Sequence, residues 1–353
     1  MDFKSYLKIA QKEINRELDK IFKAKLVESE KAGQISQEMI QRLWQLCLKG
    51  KKIRGILVKL AYQSCGGRDI NQAIQVAAGV EVLHASMLIF DDIMDQDDQR
   101  RGQPAMHKQF EQIGGDSWYG VGLGINVGVL ALVLAYELIE SETVLKPVFK
   151  YCQQTVYGQA LDLTVLPWEQ VNRAMIKKIH HYKTVSYTVL LPLMAGAVLA
   201  GETDASRLRA LKSYAQALGL AFQIQDDILG VFGEPKIIGK PAGADLREGK
   251  KTHLIVDTAS KLQCFRRKLR HSDGQANSNF QKFKSLIGKK DLTKKETDWL
   301  RKIIKTSGAL DKSVKIANQW SVKAKQAVSQ ITADKELQKV YIGLADFVVK
   351  REV

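Results

Sequence analysis

The chain has little of what staples small or secreted folds. Its 353 residues include 4 cysteines, Cys47, Cys65, Cys152 and Cys264, with no CxxC pair and no metal-ligand spacing. That excludes a disulfide framework or thiolate zinc site and fits reduced, buried thiols in a cytoplasmic protein. Prolines number only 6, and no run alternates β-branched residues at strand spacing, which argues against a sheet protein. Acid is also in deficit: 38 Asp and Glu stand against 54 Lys and Arg, for a net charge of +16. Such basicity suits an anionic partner, whether nucleic acid, a phosphorylated small molecule or an acidic membrane face. The number of cations does not choose among these, so their placement must. The start, MDFKSYLKIAQKEINREL, carries charges throughout an amphipathic helix pattern and does not read as a signal peptide.

What is present is helical periodicity. Residues 35–64, 72–95, 118–141, 146–163, 170–200, 204–231 and 312–350 carry apolar residues at helical spacing or are apolar throughout. The breaks are short (CGGRD, QIGGD, AGETD), and HSDGQANSN near 271–279 reads as a surface loop. No repeat, low-complexity tract or composition shift divides the chain. The expectation is one all-α domain over residues 1–353. Trp118 to Tyr136 and Thr184 to Gly201 are uncharged and long enough to span a bilayer. Both hold several small and polar residues and lack a clear interfacial belt. They read as core helices covered by protein on every face, so no membrane span is expected.

The acid that remains is concentrated. Leu88 to Pro104, LIFDDIMDQDDQRRGQP, holds five aspartates. On a helix Asp91 and Asp95 face the same way, about one turn or ~5.4 Å apart, with Asp92 beside them. His84 lies two turns upstream of Asp91 on nearly the same face. Carboxylates one turn apart suit a hard cation such as Mg²⁺, and Arg100 and Arg101 add anion-binding forks. The plain alternative is an acidic helix end with a solvated turn. A second stretch tips the balance: AFQIQDDILG ends in Asp226 and Asp227, with Gln223 one turn upstream, and GKPAGADLREGKKT follows with Lys240, Lys250 and Lys251. Two apolar helices each ending in an aspartate pair, each followed by cations, make poor surface decoration. Two carboxylate walls can hold metals, and metals can clamp a diphosphate.

Other motifs fall away. In GADLREGKKT five residues separate Gly243 from Gly249, Lys251 rather than Ser or Thr follows Lys250, and no strand precedes, so a Walker loop fails. Gly120, Gly122, Gly124 and Gly128 lack the strand of a dinucleotide fingerprint and read as close helix packing. His180 and His181 lack HExxH spacing and read as helix surface, and the lysines of 281–295 read as a solvated face. No basic stripe with interleaved aromatics appears, so no nucleic acid is expected.

With these motifs in hand, the chain resembles the trans-isoprenyl diphosphate synthases, the farnesyl and geranylgeranyl diphosphate synthase family. The likeness runs from GKKIRG near residue 50 to LADFVVKRE at the C-terminus. It rests on DDIMD with a downstream RRG, GQALDL at 158–163, KT at 183–184, FQIQDD at 222–227 and GK…DLREGK at 239–250. The resemblance implies an antiparallel helical bundle around a deep central cavity, usually a homodimer. It implies a Mg²⁺-dependent prenyltransferase that joins isopentenyl diphosphate to dimethylallyl, geranyl or farnesyl diphosphate. By motif, Asp91, Asp92, Asp95 and Asp226 would ligate Mg²⁺, with Asp227 in support. Arg100, Lys183, Lys240 and Lys250 would grip the allylic diphosphate. Lys51, Arg54, His84 and Arg101 would bind isopentenyl diphosphate, and Thr184 and Gln223 would steady the developing cation.

Two positions depart from the family: Gly230 stands where many members carry a third aspartate, and Val129 follows Gly128 where Gly-Asp is common. A valine could pack in place of an aspartate that only caps a local network. Three rivals are a catalytically silent partner subunit, a cation-driven cyclase and a basic nucleic-acid scaffold. Retention of both aspartate motifs, and of Lys51, Arg54 and Arg101 for a second diphosphate, argues against them. Ser86 and Met87 precede Asp91 by five and four residues, where fifteen-carbon synthases often carry an aromatic floor. A small residue and a flexible thioether there favour the twenty-carbon geranylgeranyl product over farnesyl.

Overall fold

The computed structural model describes residues 2–164, 168, 170–234, 243–268 and 274–350, with side chains 264–277 also outside the description. Lys240 and Cys264 therefore lie outside the described residues and side chains. The described residues are all-α apart from one two-stranded ribbon. Two compact units form from interleaved stretches. The first comprises Met1–Gln153, Ser186–Ala215 and Gln326–Leu344; the second comprises Gln154–Val185, Gln216–Lys325 and Ala345–Val353.

The first unit opens with α1 (Phe3–Ser29), α2 (Gln34–Leu48), α3 (Ile53–Ser64) and α4 (Ile70–Asp95). The single helix expected over 35–64 is thus two. Gly50 at φ 92 and Lys52 at φ 54 break it, and the signal was the Gly-Lys-Lys cluster. α4 starts on Asp69, whose carboxylate accepts from the Asn71 and Gln72 N–H groups, and ends where Gln96 turns left-handed. β1 (Gln99–Arg100) and β2 (Gln103–Pro104) follow as a hairpin, then α5 (Met106–Gly114) and α6 (Ser117–Ile139). α4 packs chiefly on α6. Phe22, Leu57, Leu60, Phe110, Tyr214 and Tyr341 are among the side chains filling this unit's core.

α7 (Glu142–Leu163) leads to α8 (Arg173–Ile179), whose helix continues as a π-helical stretch, His180–Leu190, and then α9 (Leu191–Leu199). π-turns widen a helix and recur at functional sites; this one carries Lys183 and Thr184. α10 (Ala205–Phe232) carries the second aspartate pair, and α11 (Ala244–Glu248) and α12 (His253–Lys268) follow it. The second unit's core joins Ile224, Ile228 and Val231 to Leu254, Phe283 and Leu300. It is completed by α13 (Gly274–Leu286), α14 (Lys294–Thr306) and most of α15 (Ala309–Ile331), while α16 (Lys335–Val349) belongs mostly to the first unit. Two more expectations are corrected here. Residues 274–279, read as loop, are the first turns of α13. The helix expected over 312–350 breaks at 332–334, where Asp334 caps α16 by accepting from the Glu336 and Leu337 N–H groups.

Among the described residues three helices are long and apolar enough to cross a membrane: Ile70–Asp95, Ser117–Ile139 and Arg173–Leu199. The first and third are mostly covered by protein, but the α6 window is only 44% buried. The expectation that 118–136 is covered on every face is therefore wrong for one side. Trp118, Ile125, Val129 and Val133 form an exposed stripe at helical spacing. Val129 belongs to this stripe and does not pack into the local core.

Candidate active site

The first aspartate motif sits at the C-terminal end of α4, where unpaired carbonyls already make the field negative. The hairpin that follows returns a cation to it. Arg101 at φ 54 and Gly102 at φ 73 form the tight turn, so Arg100 and Arg101 diverge. Arg100 donates through Nε to Asp92 Oδ1 at 2.6 Å and reaches Asp91 and Asp97 at 3.4 Å. Burial nevertheless pushes the Asp92 carboxyl up to about 6, with Asp97 and Asp91 acting the same way and Arg100 opposing. The motif stays over-negative with a guanidinium already in place, which is what a carboxylate site for a divalent cation requires.

Arg101 takes the other direction. Its Nη1 donates to Lys49 O at 2.6 Å and Leu46 O at 3.2 Å, the end carbonyls of α2. Gly50 makes room for it: a Cβ there would stand 2.8 Å from Arg101 Nη2. Lys52, only 2% exposed, donates to the same Lys49 O at 2.6 Å. Lys51 of the same motif is exposed. Arg54 donates from Nη1 to His84 Nε2 at 3.1 Å and from Nη2 to Thr188 Oγ1 at 2.8 Å, with its guanidinium 4.6 Å from the Tyr187 ring centre. Burial, then Arg54 and the other nearby cations, push His84 well below the usual histidine range, so its imidazole is neutral. Its Nδ1 and the Nε of Arg54 are buried without a partner. Among the described residues no carboxylate ion-pairs with Arg54 or Arg101. Lys52, Tyr187 and Thr188 were missed from sequence. Lys52 could have been found as part of GKKIRG, and Glu81, which accepts from Gly55 N–H at 2.8 Å, as an acid set in the apolar middle of α4, well before its aspartates.

The second unit gathers the other motif. Lys183 Nζ lies 2.6 Å from Asp162 Oδ2, an aspartate of GQALDL, and Lys250 Nζ lies 2.5 Å from Glu248 Oε2. Thr184 Oγ1 donates to Gln223 Oε1, and Gln223 Nε2 donates to Asp227 Oδ1 at 2.8 Å. His180, expected on a helix surface, is buried, with Nε2 3.2 Å from Asp227 Oδ2. Gly230 faces the carboxylate of Asp245: a Cβ at 230 would lie 2.0 Å from Asp245 Oδ2. The space that a third aspartate would need is filled from α11.

Ser86 and Met87 differ in placement. Ser86 is fully buried and its hydroxyl donates to Gly128 O of α6 at 2.8 Å, while Met87 is half-buried.

Among the described residues no three His, Cys, Asp or Glu side chains converge as a metal cage. Mg²⁺ does not need one, since it keeps several waters and takes one or two carboxylates plus substrate phosphates. The donors here are all carboxylate oxygens, and the buried Asp227 Oδ2 has no in-line hydrogen bond. The set fits a hard cation.

Fold and site together define an all-helical protein with two acidic motifs and a cluster of cations, Lys52, Arg54 and Arg101, without a direct carboxylate ion pair among the described residues, the equipment for handling diphosphates. The chain belongs to the polyprenyl synthetase family, whose model matches residues 35–290. It is 30% identical over 317 residues to a geranylgeranyl diphosphate synthase of Sulfolobus acidocaldarius, covering 86% of this chain and 87% of that one. It is 36% identical over 220 residues to a short chain isoprenyl diphosphate synthase of Methanocaldococcus jannaschii, covering 60% of this chain and 63% of the relative. A geranylgeranyl pyrophosphate synthase of Corynebacterium glutamicum, solved with isoprenyl diphosphate and magnesium, shares the fold with a TM-score of 0.86, 24% identity and full coverage of both chains.

Proposed function

We infer that this chain is a prenyltransferase that condenses isopentenyl diphosphate head-to-tail with an allylic diphosphate, making a short-chain trans-polyprenyl diphosphate. The observation that carries the reading is the cluster of buried Lys52 with half-buried Arg54 and Arg101 beside His84, none of the three in a carboxylate ion pair among the described residues. Charge buried without carboxylate partners is costly unless an anion completes it. A second diphosphate, distinct from the one opposite the aspartates, supplies that anion. The allylic C–O bond breaks with its electron pair leaving on diphosphate. The double bond of isopentenyl diphosphate attacks the carbon so exposed, and loss of a proton restores an alkene five carbons longer. Asp91, Asp92, Asp95 and Asp226, with Asp227 in support, would hold Mg²⁺, whose charge would neutralise the leaving group. Arg100, Lys183, Lys240 and Lys250 bind that same group. Thr184 and Gln223 offer neutral oxygens to the reacting carbon.

The product favoured is geranylgeranyl diphosphate, because neither Ser86 nor Met87 is aromatic. The exposed α6 stripe supports a homodimer, as a face of that kind fits a second copy of the same chain. The well-covered Ile70–Asp95 and Arg173–Leu199 helices support a protein without a membrane span. Buried Cys47 and Cys152 suit a cytoplasmic setting. Incubation of the pure protein with Mg²⁺, labelled isopentenyl diphosphate and each allylic primer tests the reading. A twenty-carbon product that disappears on chelation is expected, and no extension from any primer would refute it.

A further inference from the structure

We propose that His180 is a positioning residue: by bracing Asp227 it fixes which end of the Gln223 amide meets Thr184, and so fixes the polarity of the Thr184 hydroxyl. The inference rests on the prenyl-transfer reading for its consequence. The geometry stands within the second unit alone. One helical stretch carries His180 and Thr184 four residues apart, and α10 carries Gln223 and Asp227 four residues apart. The two pairs close a ring of polar contacts: His180 to Asp227, Asp227 to Gln223, Gln223 to Thr184.

The ring has a direction. A primary amide is nearly symmetric in shape, and only its partners decide which end is oxygen. An ionised carboxylate accepts and cannot donate, so the end of Gln223 at Asp227 must be the NH₂. Oε1 is then turned to Thr184 and must receive a proton, which the hydroxyl gives. Thr184 has one proton and has now committed it, so lone pairs are all it can offer elsewhere. Lone pairs are the useful sign next to developing positive charge. With the amide reversed, Thr184 would accept from Gln223 and direct its proton outward, the wrong sign.

Everything therefore depends on Asp227 staying in place. It is 4% exposed, and its named partners are Gln223 and His180. A carboxylate that deeply buried needs a donor or cation beside it. His180 fills that role with Nε2 at 3.2 Å from Asp227 Oδ2. The approach is electrostatic rather than in line. The ring of His180 is itself backed edge-on by His253, with centroids 5.2 Å apart, so it has little freedom to swing away.

Protein labelled with glutamine ¹⁵N in the side-chain amide provides the test, the Gln223 pair being identified by its loss in Gln223→Leu. His180→Phe keeps a ring and removes the donor; His180→Gln keeps a donor. We expect the Gln223 amide signals to shift and exchange faster in His180→Phe and to stay near wild type in His180→Gln. In step with that, kcat should fall by ~10- to 10²-fold in His180→Phe only. KM for isopentenyl diphosphate should change less than about twofold, as for a group that acts only in the transition state. If His180→Phe does not fold, His180→Leu takes its place, with the same expectations for the Gln223 signals and for kcat. Unchanged Gln223 signals in the folded variant, or equal losses in His180→Phe and His180→Gln, overturn the inference. A wild-type protein without prenyl transfer would instead sink the proposed function, and the amide signals would still judge the ring.

Discussion

Arg54 gives its hydrogen bonds to a neutral imidazole and a threonine, and Arg101 gives its own to backbone carbonyls. Both keep their full charge for an incoming group. Arg54→Ala and Arg101→Ala should each raise KM for isopentenyl diphosphate by ~10- to 10²-fold, the scale of a charge-assisted bond worth about 1.5–3 kcal/mol. The KM for the allylic primer should move much less, and steady-state kinetics with each substrate varied in turn would expose an equal rise in both. Gly230 makes a second residue-scale test. Its missing Cβ is where Asp245 rests, so Gly230→Ala should lower the melting temperature and turnover together. Adding Asp245→Gly should recover the melting temperature, and no recovery would mean that the contact is not the cause.

At the scale of helices, α4 and α6 are pinned by the Ser86 hydroxyl on Gly128 O. An aromatic ring at 86 has no room there without moving α6, whereas Met87 is half-buried and can be enlarged. Met87→Phe should therefore shorten the main product to fifteen carbons or fewer. Ser86→Phe should first cost stability; chromatography of products and thermal melting separate the two. α14 opens on a capping box, with Thr293 and Glu296 each bonding the other's backbone N–H. Thr293→Ala should destabilise by about 1 kcal/mol in denaturant titration. Glu296 also pairs with Lys289, and these bonds hold its carboxyl at about 2, below its ordinary 4.5. A lowered folded value means the contribution is whole above about 4.5 and fades as pH falls towards 2. An acid titration of wild type against Glu296→Gln should diverge only above that window's floor.

Across the whole molecule, the α6 stripe sets the expected assembly. Val133→Glu places charge on a residue 59% exposed, and light scattering should fall from twice the 39.5 kDa chain mass towards that mass. An unchanged mass would move the interface elsewhere. Most of this architecture was legible in the sequence, because long helices write their periodicity locally, and both aspartate motifs carry their chemistry within ten residues. His180 was not legible. A His-His pair looks solvated until α10 and α12 are brought against it, and those partners lie far along the chain. The exposed side of α6 was hidden for the opposite reason: an apolar side chain looks the same whether its own chain or another copy is to cover it. The breaks at Lys52 and Asp334 were written in glycine and cap residues, but apolar spacing on either side drowned them.

The Arg100–Arg101 hairpin behaves mechanically as a yoke. Its two adjacent guanidinium groups are clamped to the ends of different helices, one on the α4 aspartates and the other on the α2 carbonyls. The end of α4 and the end of α2 are thus joined through two neighbouring side chains at one two-residue turn.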